Sequence, residues 1–247
     1  MTPPNQTEFI RHEACPHCDS SDANALYADG NHFCFACETL TPADKTDEAV
    51  AMFETADTMF LDLQFKELAK RGITEKTCKF WGYGVSTYKG QAVQVANYRS
   101  RDGELKAQKV RFVNKDFSVI GNIKDVALYG EHLWRDSGKF VTITEGELDA
   151  LSLSQALDHQ WPVVSLPSGC TSATKAVGKA IEWLSNYEYV VLMFDNDEAG
   201  QRAAKECASV LPPNKCRIAT LPLKDANEML VAGRVKELLN CMWEAKT

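Results

Sequence analysis

From residue 140 onward, short runs of β-branched and aromatic residues alternate with helix-forming segments, and few folds accommodate that rhythm. Phe140–Thr144 is followed by Glu145-Gly146 and the helix-favouring stretch Glu147–Leu157. Pro162–Leu166 leads through Pro167-Ser-Gly169 into a helix predicted to run to Trp183. Tyr189–Phe194 leads through Asp195-Asn-Asp197-Glu-Ala-Gly200 into a helix whose apolar face is predicted to hold Ala203, Cys207, Val210 and Leu211. A fourth strand, Arg217–Leu221, precedes Lys224-Asp225-Ala-Asn-Glu228. Strands alternating with helices need right-handed crossovers, which make the sheet mostly parallel with helices on its faces. The fold class is α/β here and α+β for the chain as a whole.

Ligands of open parallel sheets bind beyond the carboxyl ends of the strands. Glu145, Asp195, Asp197 and Asp225 each follow a predicted strand, so all four belong to that end. Carboxylates 4 Å apart repel by about 4 kcal/mol per pair at an effective dielectric of 20. A converging set therefore shares protons or binds a cation, and an oxygen-only donor set suits Mg²⁺ or Mn²⁺. Two other readings compete. An EF-hand loop matches the acids, Gly200 and Glu206, but Ala199 stands where Asp or Asn is needed and a strand precedes the loop. Helix capping by Asp195 or Asp197 is also expected, yet it leaves Glu145 and Asp225 at the same edge unexplained.

At the other end of the chain, Cys15-Pro-His-Cys18 and Cys34-Phe-Ala-Cys37 have the C-x2-C…C-x2-C spacing of a zinc site. Four thiolates close a tetrahedral shell and leave no open position, so the Zn²⁺ is structural. His17 is expected to be exposed rather than coordinating. A module of about 40 residues buries too little apolar area to fold alone, and metal binding worth on the order of 10–16 kcal/mol in comparable peptides supplies the difference. The other cysteines, Cys78, Cys170, Cys207, Cys216 and Cys241, are expected to be small buried hydrophobes. An odd total of nine cysteines and no export signal at the start point to a reducing, cytoplasmic compartment. No apolar stretch approaches the ~18 residues of a membrane span.

Charge is sorted along the chain. Residues 1–63 hold two basic and twelve acidic side chains, whereas residues 64–115 hold twelve basic and four acidic, within a net charge of −7. A basic block in an acidic protein suggests a polyanion-facing surface. Four regions are expected: a zinc ribbon at 1–40, an acidic flexible linker at 41–62 with a helical portion around Glu48–Phe53, a basic N-terminal subdomain at 63–136, and a catalytic subdomain at 137–247.

Thr144-Glu145-Gly-Glu-Leu-Asp149-Ala-Leu together with Met193-Phe-Asp195-Asn-Asp197-Glu-Ala-Gly200 resembles the TOPRIM signature of topoisomerases, bacterial primases and some nucleases. With the four-cysteine ribbon ahead and Lys224–Glu228 behind, the chain resembles the primase part of bacteriophage primase–helicase proteins over nearly all its length. That resemblance implies a DNA primase, a Mg²⁺-dependent nucleotidyltransferase that makes short RNA primers from NTPs on single-stranded DNA. It implies Glu145 at the family's catalytic acidic position, Asp195 and Asp197 as Mg²⁺ holders, Asp225 as a further metal-site carboxylate, and Asp149, one helical turn past Glu145, as an additional candidate. Lys109 and Lys115 match lysines that bind nucleotide and primer–template phosphates, and Arg111 joins them on charge.

The family's template-reading histidine aligns with Asn31, next to His32, so His32 becomes the candidate and the recognised template sequence is left open. Phe33, Phe35 and Tyr27 are candidate stacking groups, with Phe33 and Phe35 alternatively the ribbon's small core. Implied partners are a helicase and a replicative DNA polymerase, in the host cell cytoplasm. No G-x-x-x-x-G-K-[ST] phosphate loop occurs, so the helicase is expected outside this chain. The alternatives are a TOPRIM nuclease using the same acids, or a non-catalytic zinc-dependent DNA-binding protein. A topoisomerase needs a tyrosine nucleophile on a separate domain and a much longer chain.

Overall fold

The apolar run that ends at Met193 is the spine of the larger of two compact units, Met1–Thr58 and Met59–Thr247. The computed structural model describes residues 9–18, 20–27, 31–37, 39–41 and 60–246. The expected helical portion around Glu48–Phe53, most of the expected linker and the turn at Asp29-Gly30 lie outside the described residues.

The first unit is an antiparallel sheet of β1 (Phe9–Glu13), β2 (Asn24–Tyr27), β3 (His32–Cys34) and β4 (Leu40–Thr41), in that order. Among the described residues its buried apolar cluster is Ala25, Tyr27 and Phe33. Tyr27 and Phe33 are thus core residues: for Phe33 the core alternative holds, whereas Tyr27, expected as a stacking group, is buried instead. Phe35 is 51% exposed and meets Phe33 edge-on at 5.0 Å.

In the second unit, α1 (Glu75–Trp81) is capped by Thr74, whose hydroxyl accepts from the Thr77 N–H, and is ended by Gly82 in the left-handed conformation. An antiparallel meander follows: β5 (Tyr83–Tyr88), β6 (Gln91–Arg99), β7 (Leu105–Arg111) and β8 (Phe117–Gly121). Lys89 and Gly90 both have positive φ, the requirement of the tight hairpin turn whose twist matches its strands.

The rest is a parallel sheet of β9 (Gly138–Thr144), β10 (Val163–Ser165), β11 (Tyr187–Met193) and β12 (Cys216–Ile218), in the order β10-β9-β11-β12. Both faces of such a sheet are buried, so its strands read as continuous apolar runs. Alternation sorts them: Val141, Ile143, Val190, Leu192 and Phe194 face one core, while Phe140, Val191 and Met193 face the other. The crossover helix α2 (Glu147–Ala156) covers the second face with α6 (Ala226–Val231), α7 (Val235–Trp243) and residues of the meander. The first face is covered by α3 (Ala173–Lys179), α4 (Ile181–Leu184) and α5 (Glu198–Val210). Right-handed crossovers that leave β9 and β10 in opposite directions must pass on opposite faces.

Local differences from the sequence reading have local causes. The helix expected to run to Trp183 is a 3₁₀ turn at Gly169–Ser172 followed by α3 and α4, which break at Ala180. Gly178 weakens the helix just before the break, and the turn brings Trp183 and Leu184 into the core beside Tyr187. The fourth strand is shorter than expected because β12 pairs with β11 only along Val190–Leu192. On α5, Val210 is 40% exposed and Ala204 takes its place on the buried face.

Gly130 (φ +86°) shows how tightly the meander side is packed, since a Cβ there would run into the buried indole of Trp81. Gly130→Ala is expected to destabilise the protein by about 1–3 kcal/mol, the range of core overpacking, measured by urea unfolding.

Candidate active site

Strand order decides where the acids go. In a sheet ordered β10-β9-β11-β12, β9 and β11 flank the point at which the connections diverge, and a crevice opens there past their carboxyl ends. The two strands are in register up to Thr144 opposite Met193. The residues that follow therefore emerge side by side, and the Asp195 N–H donates to Glu145 Oε2 at 3.4 Å.

The other carboxylates are held at the same rim, each by one oxygen. Asp197 caps α5, its Oδ1 accepting from the Gly200 N–H at 2.9 Å. Asp225 caps α6, its Oδ1 accepting from the Glu228 N–H at 2.7 Å. Asp149 Oδ1 accepts from the Asn227 N–H at 3.0 Å, which ties α2 to α6. Capping therefore accounts for the exact placement of Asp197 and Asp225 without consuming both of their oxygens. The EF-hand reading fails because Asp195 follows a strand, β11. Gly200 belongs to the motif for a steric reason: a Cβ there would collide with the Asp195 carbonyl.

The rim is short of positive charge. Burial, then Glu145 and Asp225, push the Asp195 carboxyl up to about 6, against the opposing pull of Lys224, whose Nζ lies 3.5 Å from Asp195 Oδ2. Burial, then Asp225, hold Asp149 well above the usual carboxylate range. The Cys170 thiol is likewise raised, by burial and then by its hydrogen bond to Glu145. An all-oxygen donor set with surplus negative charge fits a hard divalent cation. The set is open: among the described residues, only the cysteine quartet has three or more ligand atoms all within 4.8 Å of one another.

The basic candidates divide. Lys109, on β7, ion-pairs with Glu147 Oε1 at 2.8 Å and donates to the Pro167 carbonyl at 2.9 Å. The buried Tyr98 hydroxyl donates to the same Glu147 oxygen at 2.5 Å. Lys109 is thus fastened beside the start of α2, two residues from Glu145. Arg111 and Lys115 lie farther out and line a cavity of about 800 Å³ with Lys66, Lys70 and Arg71.

In the ribbon, Cys15 and Cys37 sulfurs are 3.7 Å apart, as are those of Cys18 and Cys34. A tetrahedron with arms of about 2.3 Å has edges of about 3.8 Å, so the four sulfurs fit a zinc ion. A hydrogen bond with Thr39 pulls the Cys37 thiol down to about 6. Cys18 moves up to about 12: a backbone hydrogen bond from Ser20 favours its thiolate, but burial and the three neighbouring thiols outweigh it. His17 is exposed. His32 is half-buried, its Nδ1 2.9 Å from Glu13 Oε1 and 3.4 Å from Asn24 Nδ2.

Sequence reasoning missed Glu147, Tyr98, Lys224 and Cys170. Glu147 and Lys224 stood inside the motifs already singled out. Tyr98 and Cys170 carried no signal, since their partners are 49 and 25 residues away in the chain.

A crevice of acids at the switch point of a parallel sheet, with a four-cysteine ribbon ahead of it in the chain, defines a zinc-ribbon TOPRIM protein. The family model for the bacteriophage T7 DNA helicase/primase N-terminal a+b fold matches residues 64–121, and a Toprim-like model matches residues 142–230. The DNA helicase/primase of Enterobacteria phage T3 is 39% identical over 249 residues, covering 96% of this chain; the chain spans 44% of that relative's length. The crystal structure of the primase fragment of the bacteriophage T7 primase–helicase protein matches with 38% identity and a TM-score of 0.72, covering 95% of this chain and all of that one. A structure of bacteriophage T7 lagging-strand DNA polymerase, interacting with primase domains bound to an RNA/DNA hybrid and dTTP, matches with 40% identity and a TM-score of 0.71, covering 75% of this chain and 94% of that one. The chain belongs to the family of the primase part of bacteriophage primase–helicase proteins.

The charge surplus at the rim has a measurable consequence. Asp195 holds its proton up to about 6 in the fold and about 4 unfolded. The native state therefore carries more protons in that window, and stability without divalent cation falls as pH rises from about 4 to about 6. At pH 8, Asp195→Asn is expected to raise that stability by on the order of 1 kcal/mol, read by urea unfolding without added Mg²⁺. A less stable variant would show that Asp195 is not under electrostatic strain.

Proposed function

We propose that this chain is a DNA primase that polymerises NTPs into short RNA primers on single-stranded DNA. The observation that carries this reading is the contact of Glu145 with Asp195 at the sheet's switch point, with Lys109 ion-paired to Glu147, the residue two places after Glu145.

Glu145, Asp195, Asp197 and Asp225, with Asp149 behind them, would hold Mg²⁺ or Mn²⁺. Such an ion lowers the pKa of a bound 3′-hydroxyl and stabilises the charge that develops on the phosphoryl oxygens. Glu145, oriented through one oxygen by the Asp195 N–H, would be one of the carboxylates that hold that ion beside the reacting hydroxyl. Lys109, Arg111 and Lys115 neutralise the triphosphate and the primer–template backbone, so binding weakens steeply with salt. Cys15, Cys18, Cys34 and Cys37 hold Zn²⁺ as a structural ion. The ribbon, 1–40, reads template bases through His32 and the exposed ring of Phe35. Residues 41–62 link it to a basic subdomain, 63–136, and a catalytic subdomain, 137–247. A helicase and a replicative DNA polymerase are the expected partners, in the host cytoplasm. Among the described residues, no helix is long and apolar enough to cross a membrane.

The test is incorporation of labelled NTPs on single-stranded templates of varied sequence, with product sizing. New RNA is expected, and shortening of the template would identify a nuclease instead. Asp195→Asn should abolish product while keeping template binding, whereas Cys34→Ser should lose template choice. Unaltered yield from Asp195→Asn would remove the rim from the reaction.

A further inference from the structure

One face of the meander continues outward from the acidic rim. Strand pairing aligns Ala96 with Lys109, Lys109 with Val119, and Arg111 with Phe117. Side chains two apart share a face, so Tyr98, Lys109, Arg111, Phe117 and Val119 stand together. The inner end is fixed where Tyr98 and Lys109 meet Glu147. At the outer end stands Phe117, 51% exposed at the start of edge strand β8.

Among the described residues, the exposure of this ring has no packing explanation. The opposite face of β8 is the packed one, with Ile120 against the cluster of Val93, Val95 and Val110. Phe117 instead lies beside two cations. Lys109 Nζ lies 4.8 Å from its ring centroid and the Arg111 guanidinium 5.6 Å, both within cation–π distance. Arg111 and Lys109 are neighbours on one strand and directly oppose Phe117 and Val119, so both approach the ring from within the sheet. Lys115 lies two residues before Phe117 in the connecting turn. An ammonium has three N–H donors, and Glu147 and Pro167 take two of those on Lys109, which leaves one for a phosphate oxygen. An exposed aromatic face beside cations that can hold phosphate is the pairing by which single-strand binders take a nucleobase and its backbone together.

We propose that Phe117 is a stacking platform for a nucleobase whose own or adjoining phosphates are held by Lys109, Arg111 and Lys115. This rests on the nucleic-acid reading above and extends it to a residue that carries no charge. The base belongs either to the single-stranded template or to an NTP, and the two are separable by experiment.

Phe117→Ala and Phe117→Trp are compared with wild type in two equilibrium measurements. The first is anisotropy of a labelled DNA oligomer and of its abasic counterpart over a range of salt, and the second is NTP binding by equilibrium dialysis. Phe117→Ala is expected to weaken one of the two ligands by about tenfold, the scale of one lost base stack, while Phe117→Trp retains it. Loss on the oligomer assigns a template base, and loss on the NTP assigns a nucleotide base. The salt slope of oligomer binding should stay unchanged for Phe117→Ala but become shallower by about one for Lys115→Ala. Abasic DNA should bind wild type and Phe117→Ala equally. The proposal is overturned if Phe117→Ala matches wild type for both ligands, or if it loses as much on abasic DNA, which would assign the loss to displaced cations. If wild type makes no primers yet Phe117→Ala shows the base-dependent loss, the primase reading fails and the platform stands. If primers are made and Phe117→Ala binds normally, the platform alone falls.

Discussion

Like charges held together at the mouth of a parallel sheet are what the rest of this structure serves. Glu145 and Asp195 leave adjacent, in-register strands, so the backbone gives them no freedom to separate. The fold offsets their repulsion with partial positive charge. The Asp195 N–H faces Glu145, the first turns of α5 and α6 face Asp197 and Asp225, and the Asn227 N–H faces Asp149. One lysine, Lys224, adds a full charge from the exposed side. The remaining strain shows in the elevated Asp195 and Asp149 carboxyls, the condition in which a site gains most from a divalent cation.

The second constraint is the polar bridge from the meander to this rim. Lys109, Glu147 and Tyr98 come from β7, α2 and β6, and together they fill a site with little access to water. Removing either charge from such a pair leaves its partner buried and unpaired, which is strongly destabilising. Each member here is satisfied: Glu147 accepts from both Tyr98 and Lys109, and Lys109 also donates to Pro167. The basic strand is thereby held at one distance and angle from the carboxylates, so Arg111, Phe117 and Lys115 inherit a definite placement relative to the rim.

Much of this was legible in the sequence, for identifiable reasons. The cysteine spacing announced a four-thiol site because two short knuckles can reach one ion only in that arrangement, and the sulfurs do converge. The parallel strands were legible because burial on both faces makes them unbroken apolar runs. The meander was not: its strands are half-buried, and read as a charged block residues 83–121 show basic charge before they show alternation. Tyr27 illustrates the limit for single residues. An aromatic side chain in a small ribbon is equally consistent with a stacking surface and with the core, and only the packing of Ala25, Tyr27 and Phe33 distinguishes them.

The sequence alone determined the alternation of strand and helix beyond residue 140, the edge of the sheet on which the acids must lie and the quartet of thiols, since these depend on local periodicity and spacing. Tertiary structure decided which acids touch, that Lys109 is pinned by Glu147 and the Pro167 carbonyl, and that Phe117 stands exposed beside two cations. Those outcomes depend on strand order and register, which bring together groups tens of residues apart. No local pattern encodes a pairing that arises only when separate strands and helices find their places in one fold.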